Sequence, residues 1–345
     1  MLLNKLQDKG LIHPPGWLPD NTVYLVQMGS VAYGVSNDSS DMDIYGYALP
    51  TRDMIFPHLA GEIFGFGKQK KRFEQWQEHH IKDPGSKKEY DFCVYGIVKY
   101  FNLVMQCNPN MLDSLFVPQR CILHCTQIGE MVREKRRLFL HKGAFHKFKG
   151  YAFSQQHKMK TKGHKHLEEV EKMEDDLGVP RSTTLEQARE LFKTNRSSAF
   201  EKYVKLYEKM VEAGGRAERC KIHRFDSKFG YHLVRLVSEC EQVLTEHDLV
   251  LDEKGRREQM KAVRRGDWTV EQVEEYFEQK EKQLEELYHK STLQHKPDEE
   301  AIKELLLNCL EHHYGSLDAC IIREDQAVRA LREIIEIVDK NRGAI

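Results

Sequence analysis

The sequence predicts an α+β fold, with a small sheet and flanking helices over residues 1–135 followed by a mostly helical part over 136–345. Three observations predict it. Up to about residue 130 the chain mixes helical stretches with short β-branched or alternating runs of strand period, and beyond Glu130–Leu140 the helical period is nearly unbroken. At 345 residues, with 40 % hydrophobic and 10 % aromatic residues, the chain can bury a sizeable core and has too many aromatic anchors for global disorder. No apolar run approaches the roughly 20 residues that span a membrane. Asp8 and Lys9 also cut short the N-terminal apolar stretch where a signal peptide would continue its core. The expectation is a soluble, cytoplasmic protein with no membrane partner.

Taken in order, a short helix (Leu2 to Lys9) leads through His13-Pro14-Pro15-Gly16 into a strand over Thr22–Met28, ended by Gly29-Ser30. A polar loop, Ser36–Ser40, precedes a second strand over Asp41–Ala48, where polar and apolar residues alternate. Phe73–Ile81 and Lys87–Val94 flank the turn-rich Asp83-Pro84-Gly85-Ser86, which gives a sheet of about four strands. From Ile97 the period is helical, and Asn108-Pro109-Asn110 stops one helix and starts another. Later helices are expected near 144–162, 165–176, 185–195, 197–213, 227–246, 269–290, 299–313 and 325–340, with Gly214-Gly215 and His295-Lys296-Pro297 as the clearest breaks.

The eight cysteines contain no CxxC pair, which points to free thiols in a reducing compartment. Cys121, His124 and Cys125 are too few ligands for a structural zinc, and none is expected. The net charge of −1 hides a segregation: Arg133–His166 holds eleven Lys or Arg against Glu134 alone, so it carries +10 and the rest of the chain −11. Residues 270–312 hold twelve acids and five Lys, as an exposed helical region would. On a helix over 144–165, Phe145, Phe148, Ala152 and Met159 form a core face. Lys147, Tyr151, Ser154, Lys158, Lys162 and Lys165 line the other, as a solvent-facing Lys row or as a stripe for a triphosphate or an RNA backbone with one stacked base. Lys228, His232, Arg235 and Glu239 form a second stripe, in which Arg235 either clamps a phosphate or pairs with Glu239. The pairs His79-His80 and His312-His313 lack helical ligand spacing and are expected at the surface or in packing.

The most informative segment runs from Gly29-Ser30 to Asp41-Met42-Asp43. Aspartates at i and i+2 of a strand share a face, and two like charges side by side are costly unless cations neutralise them. Mg²⁺, or Mn²⁺, suits carboxylate and phosphate oxygens, and two such ions can stabilise the attacking and leaving oxygens of an in-line phosphoryl displacement. Gly29 lets the backbone approach a phosphate closely, and Ser30 can donate its hydroxyl and N–H. An isolated DxD also occurs in exposed turns. Here it follows a strand ending in Gly-Ser, sits between apolar Met42 and Ile44, and precedes a strand bearing Asp91. That combination resembles the nucleotidyltransferase superfamily of DNA polymerase beta. Glu89, Asp91 and Cys93 share a face by parity, so alternation leaves the third carboxylate open, and the resemblance selects Asp91. Tyr90–Tyr95, Asn108–Phe116, Arg137–Leu140, Gly150–Gln155 and Lys228–Leu236 resemble the narrower RNA-repair-associated branch, RlaP, over roughly residues 22–265. The insert Gly67–Arg72 and the acidic C-terminal helices fall outside that pattern.

The resemblance implies a small mixed nucleotidyltransferase sheet in a catalytic domain over 1–135, and a helical domain over 136–345 that closes the nucleotide cleft. It implies that Asp41 and Asp43 bind two Mg²⁺ (or Mn²⁺) ions or the metal–triphosphate, and that Asp91 completes the second ion site and accepts the acceptor's proton. Gly29 and Ser30 would hold the β- and γ-phosphates, with Lys147, Tyr151, Lys158 and Arg235 as further nucleotide-binding candidates. The reaction would transfer NMP from an NTP, ATP first among them, to a hydroxyl, releasing pyrophosphate. The +10 segment favours an RNA 3′ end as acceptor over a protein side chain or a small molecule. The alternative is an inactive module of the same fold that binds nucleotide or RNA, against which the presence of all three acids argues.

Overall fold

The computed structural model describes residues 1–36, 41–69, 72–86, 88–161, 164–212, 220–221 and 225–316, with 330–331, 333–335 and 337–338. Lys162, the side chain of Lys165, the Gly214-Gly215 break and much of the expected 325–340 helix lie outside the described residues. Helix α1 (Leu2–Asp8) precedes β1 (Thr22–Gln27), β2 (Met42–Ala48), β3 (Gln75–Asp83) and β4 (Lys88–Gly96). A fifth strand, β5 (Ile122–Cys125), joins the free edge of β1, so the sheet has five strands where the sequence suggested about four. Four residues are too short for an alternation to register, and only the pairing with β1 makes them a strand. The order is β3-β4-β2-β1-β5, with β2 and β4 parallel and the other pairs antiparallel. The sheet is therefore mixed.

Strand parity divides the core. Leu25, Ile44, Ala48, Phe92 and Val94 face α1 and the N-terminal segment, where Leu3, Leu6, Ile12 and Leu18 cover them. Tyr24, Val26 and Tyr47 face the helices on the other side. These begin with α2 (Ile97–Met105), α3 (Pro109–Phe116) and α4 (Gln127–Glu134). Asn108 caps α3 by accepting from the Met111 N–H, with Pro109 in the first turn where its missing donor costs nothing.

The helical part continues as α5 (Gly143–Thr161), α6 (His164–Leu177), α7 (Leu185–Thr194) and α8 (Ser198–Glu212). Beyond these lie α9 (Ser227–Glu246), α10 (Lys254–Arg265), α11 (Val270–Lys290) and α12 (Glu299–Tyr314), and the described residues among 330–338 are helical too. Buried side chains of α5, α9, α10, α11 and α12 join the same apolar cluster as β1 and α2 to α4. The central helix is α9, which packs against α5, α10 and α11 and so brings its N-terminal half over the sheet. Helices α6 to α8 bury a separate cluster around Val170, Tyr203 and Met210. Among the described residues no helix is long and apolar enough to cross a membrane.

Candidate active site

The parallel register of β2 and β4 sets Asp43 directly opposite Asp91, one inter-strand spacing away. Parity alone could not separate Asp91 from Glu89. The register does, because Glu89 lies two residues nearer the strand's start. Asp41 immediately precedes β2. At the end of β1 the chain turns through a single 3-10 turn, Gly29–Val31, and the Met28 N–H donates to the Asp43 carbonyl at 2.7 Å. Gly29 has φ +68°, and a Cβ built on it would stand 2.2 Å from Asp43 Oδ2. The carboxylate thus lies against a turn that only glycine leaves open.

Burial raises the Asp43 carboxyl above its ordinary value, and the charges of Asp91 and Asp41 add to the rise, while Lys228 and His79 oppose it. An anion held at a cost by its neighbours is what a divalent cation relieves. Among the described residues, no three His, Cys, Asp or Glu side chains already converge as a cage. Mg²⁺ characteristically takes one or two carboxylates and draws its remaining ligands from phosphates and water. The donor set of Asp41, Asp43 and Asp91 therefore fits an ion that arrives with a triphosphate.

The edge strand β3 contributes a feature that the sequence did not suggest. Its register with β4 shifts between Glu78 and Ile81, and His80 there has φ +57°. The bulge aims the His80 N–H at Asp91 Oδ1, 2.7 Å away, and brings His79 Nδ1 to 3.4 Å from the same oxygen. Both imidazoles are exposed, as expected of surface residues, yet the His79 ring and the His80 backbone N–H fix one oxygen of the third carboxylate, while the His80 ring pairs with Glu89 at 2.9 Å. The local signal was the run of four polar residues, Gln77–His80, that puts Trp76 and Ile81 out of strand alternation.

Above the carboxylates is a cleft of about 810 Å³. Gly29, Ser30, Tyr33 and the three aspartates line one side. Opposite them stand Lys228, Tyr231, His232 and Arg235 of α9, with Lys261, Arg264 and Arg265 of α10. The α10 cations were not anticipated. Basic residues in the last turn of a helix are explained well enough by the helix dipole, so the pattern carried no distinct message.

The family model described as the RNA repair pathway DNA polymerase beta family, RlaP, matches residues 13–308. The chain belongs to this family. The match runs past Arg265, where the likeness was expected to end, and takes in the acidic α11 and much of α12. No curated protein matches the chain, and no solved structure does. Polymerase-beta-like nucleotidyltransferases generally use divalent metals.

In this RlaP chain Arg235 lines the cleft but is buried, and it joins the two sides. It donates to Asp113 Oδ2 and to the Tyr33 hydroxyl, and its guanidinium lies 4.5 Å from the Tyr33 ring centroid. Tyr33 in turn donates to Asp113 Oδ2 at 2.7 Å. Glu239, the partner that helical spacing offered, is 3.9 Å away and less closely engaged. Burial pushes the Glu239 carboxyl up to about 8 and raises Asp113 too, against the pull of Arg235. His232 is driven well below its ordinary value by burial and by Arg235, Lys228, Arg264 and Lys158, so it faces the cleft as a neutral imidazole.

Lys147, Tyr151 and Lys158 are not brought into the cleft. The face of α5 that carries Phe145, Phe148, Ala152 and Met159 is buried as expected, and that packing turns the cationic face outward. Lys147 is exposed, and the Tyr151 hydroxyl accepts from Asn108 Nδ2 at 3.0 Å. Only Lys158 reaches the site, through its charge on His232.

Proposed function

We propose that the chain transfers a nucleoside monophosphate from an NTP, ATP first among them, to a hydroxyl acceptor at an RNA end, with release of pyrophosphate. The observation that carries this reading is the pairing of Asp43 with Asp91 across parallel strands, beside Asp41 and beneath the cations of α9 and α10. One or two Mg²⁺ or Mn²⁺ ions held by Asp41, Asp43 and Asp91 would supply charge neutralisation at the attacking and leaving oxygens. The chain's own residues do the rest. The Gly29-Ser30 turn offers N–H groups and a hydroxyl to the β- and γ-phosphates. Lys228, Lys261 and Arg264 face it from α9 and α10 and replace the outward α5 stripe as the triphosphate clamp.

The His79-His80 bulge holds one Asp91 oxygen, leaving the other to accept the acceptor's hydroxyl proton. The acceptor oxygen then bonds to the α-phosphorus as the bond to the bridging α–β oxygen breaks, and the electron pair leaves with pyrophosphate. Positioning and charge neutralisation carry the rate, and no covalent enzyme intermediate is required. The test is pyrophosphate release from each NTP with Mg²⁺ or Mn²⁺, with and without bulk RNA. Release that depends on divalent metal and disappears in Asp43→Asn supports the proposal. Tight nucleotide binding without release under any condition would instead identify an inactive binding module.

A further inference from the structure

Between β2 and β3 the chain builds a turn whose outward face is apolar. Ile63, Phe64 and Phe66 are 65, 88 and 75 % exposed. Single exposed apolar residues are ordinary, but three within four positions of one turn form a patch of the kind that marks an interaction site. The turn is organised from within. Ile63 and Phe66 form a bridge, and Gly65, at φ +79°, and Gly67, at φ +69°, let the chain reverse. The Gln69 side chain spans the reversal, accepting from the Gly65 N–H at 3.3 Å and donating to the Ile63 and Phe66 carbonyls at 3.1 and 2.9 Å. Arg72 pairs with Glu62 at 3.4 Å and closes the stem. The polar side chains of the turn are thus used internally, and what faces out is Ile63, two phenyl rings and Lys68.

The charge that follows the tip along the sequence has one sign. Lys68, Lys70, Lys71 and Arg72 follow the aromatic tip in the sequence, and the acid of the turn, Glu62, is taken by Arg72. Aromatic faces beside free cations are the composition that binds single-stranded nucleic acid, in which bases stack on the rings while the cations follow the phosphates. We infer that this turn is a docking site for single-stranded RNA, with unpaired bases stacked on Phe64 and Phe66 and the backbone held by Lys68. The choice of RNA as occupant rests on the RNA-end reading of the active site and on this charge.

The turn does not serve the reacting end. It enters β3 at Gln75, which pairs with Tyr95, whereas Asp91 lies four residues nearer the start of β4, beside the bulge. The four residues from Asp91 to Tyr95 set the point where the turn enters the sheet roughly 13 Å along the strands from the carboxylates. The turn therefore grips a stretch several nucleotides from the end being modified, and its contribution depends on RNA length.

The experiment uses the full chain, with Phe64→Ala/Phe66→Ala and Lys68→Gln variants, in titrations against single-stranded RNAs of about 4 and about 20 nucleotides. For the long RNA the double variant is expected to lose about ten-fold or more in affinity with an unchanged salt slope, and Phe64→Tyr/Phe66→Tyr to restore it. Binding of the short RNA and of ATP should not change. Lys68→Gln should flatten the log–log salt slope by about 0.7 for the long RNA alone. Long-RNA affinity indifferent to both phenylalanines overturns the inference, as does a loss confined to binding of phosphatidylserine vesicles, which would assign the turn to an anionic membrane. Pyrophosphate release is measured on the same variants. A chain without transfer activity whose long-RNA binding still needs Phe64 and Phe66 keeps the docking site and loses the proposed reaction, while the converse result removes the docking site alone.

Discussion

Replacing Gly29 by alanine isolates the geometry on which the site depends. Two costs are involved, and the protein contains a control for one of them. At φ +68° any side chain costs about 1–2 kcal/mol. Gly10, at φ +67°, would bear the same cost with nothing within 4 Å of its added Cβ. At Gly29 the Cβ would also stand 2.2 Å from Asp43 Oδ2, where ordinary contact begins near 3.4 Å, so the carboxylate must retreat by about 1.2 Å. A misplacement of about 1 Å at a reacting centre costs on the order of 100-fold in rate. Gly29→Ala is therefore expected to lose about 100-fold in kcat for pyrophosphate release and about 1–2 kcal/mol in a urea titration. Gly10→Ala should show the same stability loss with unchanged turnover. If Gly29→Ala turns over like the wild type while losing the stability that Gly10→Ala loses, the contact between turn and carboxylate has no part in the chemistry.

The Asp43 carboxyl binds its proton more tightly in the folded than in the unfolded chain, so its contribution to stability is greatest in acid and falls as pH rises from its ordinary value near 3.8 through the raised one. Melting curves of Asp43→Asn in EDTA should lack that decline and equal or exceed the wild type at neutral pH, with transfer nearly abolished; a wild-type pH slope in the variant would refute the electrostatic account. Arg235→Met leaves Asp113 and Glu239 buried without their cation and should cost roughly 3–5 kcal/mol in denaturant at pH 8. The cost should shrink as pH falls and the raised Glu239 and Asp113 carboxyls take up protons, and a pH-independent loss would mean that only packing was removed. Lys147→Gln/Lys158→Gln should leave the KM for ATP unchanged and, for two phosphate contacts, flatten the RNA salt slope by about 1.4 to 1.8. A raised KM with an unchanged slope would return the α5 stripe to the triphosphate.

What could be read in the sequence was what neighbouring residues decide. The helices expected over 227–246, 269–290 and 299–313 were found at Ser227–Glu246, Val270–Lys290 and Glu299–Tyr314. Their ends are set locally, by the side chains of Asp226, Thr269 and Asp298 accepting from backbone N–H groups of the first turn. Gly29, Asp41 and Asp43 stood out for the same reason, since one strand-turn-strand segment contains them. Features that join distant segments were not readable. The pairing of Ile122–Cys125 with β1, the parallel register that selects Asp91, and the bulge that turns His79 and His80 toward it depend on tertiary contact. Arg235 shows the limit most clearly. Spacing along α9 offered Glu239, whereas the closer partners, Asp113 and Tyr33, are more than a hundred residues away.

The charge segregation can now be followed to its destinations. Arg137 pairs with Asp248, and Lys149 with Glu281 and Glu285 of α11, so acids of the C-terminal half neutralise part of the basic segment. In the cleft, Lys261 pairs with Glu258 and Arg265 with Asp267, but two cations are arranged differently. Lys228 has no acid in an ion pair among the described residues, and Arg264 is held by the Val35 carbonyl at 2.6 Å, which leaves its charge uncompensated. They face three carboxylates across a cleft of about 810 Å³, and the influence of Lys228 on Asp43 shows that the two sides already interact. On the proposed reading, a magnesium–triphosphate between them would complete an alternation of sign from carboxylate to metal to phosphate to Lys or Arg. Each layer would then have the opposite charge beside it. The proposed reading thus gives one physical cause to two features, the burial and crowding that raise the Asp43 carboxyl and the unpaired cations that face it.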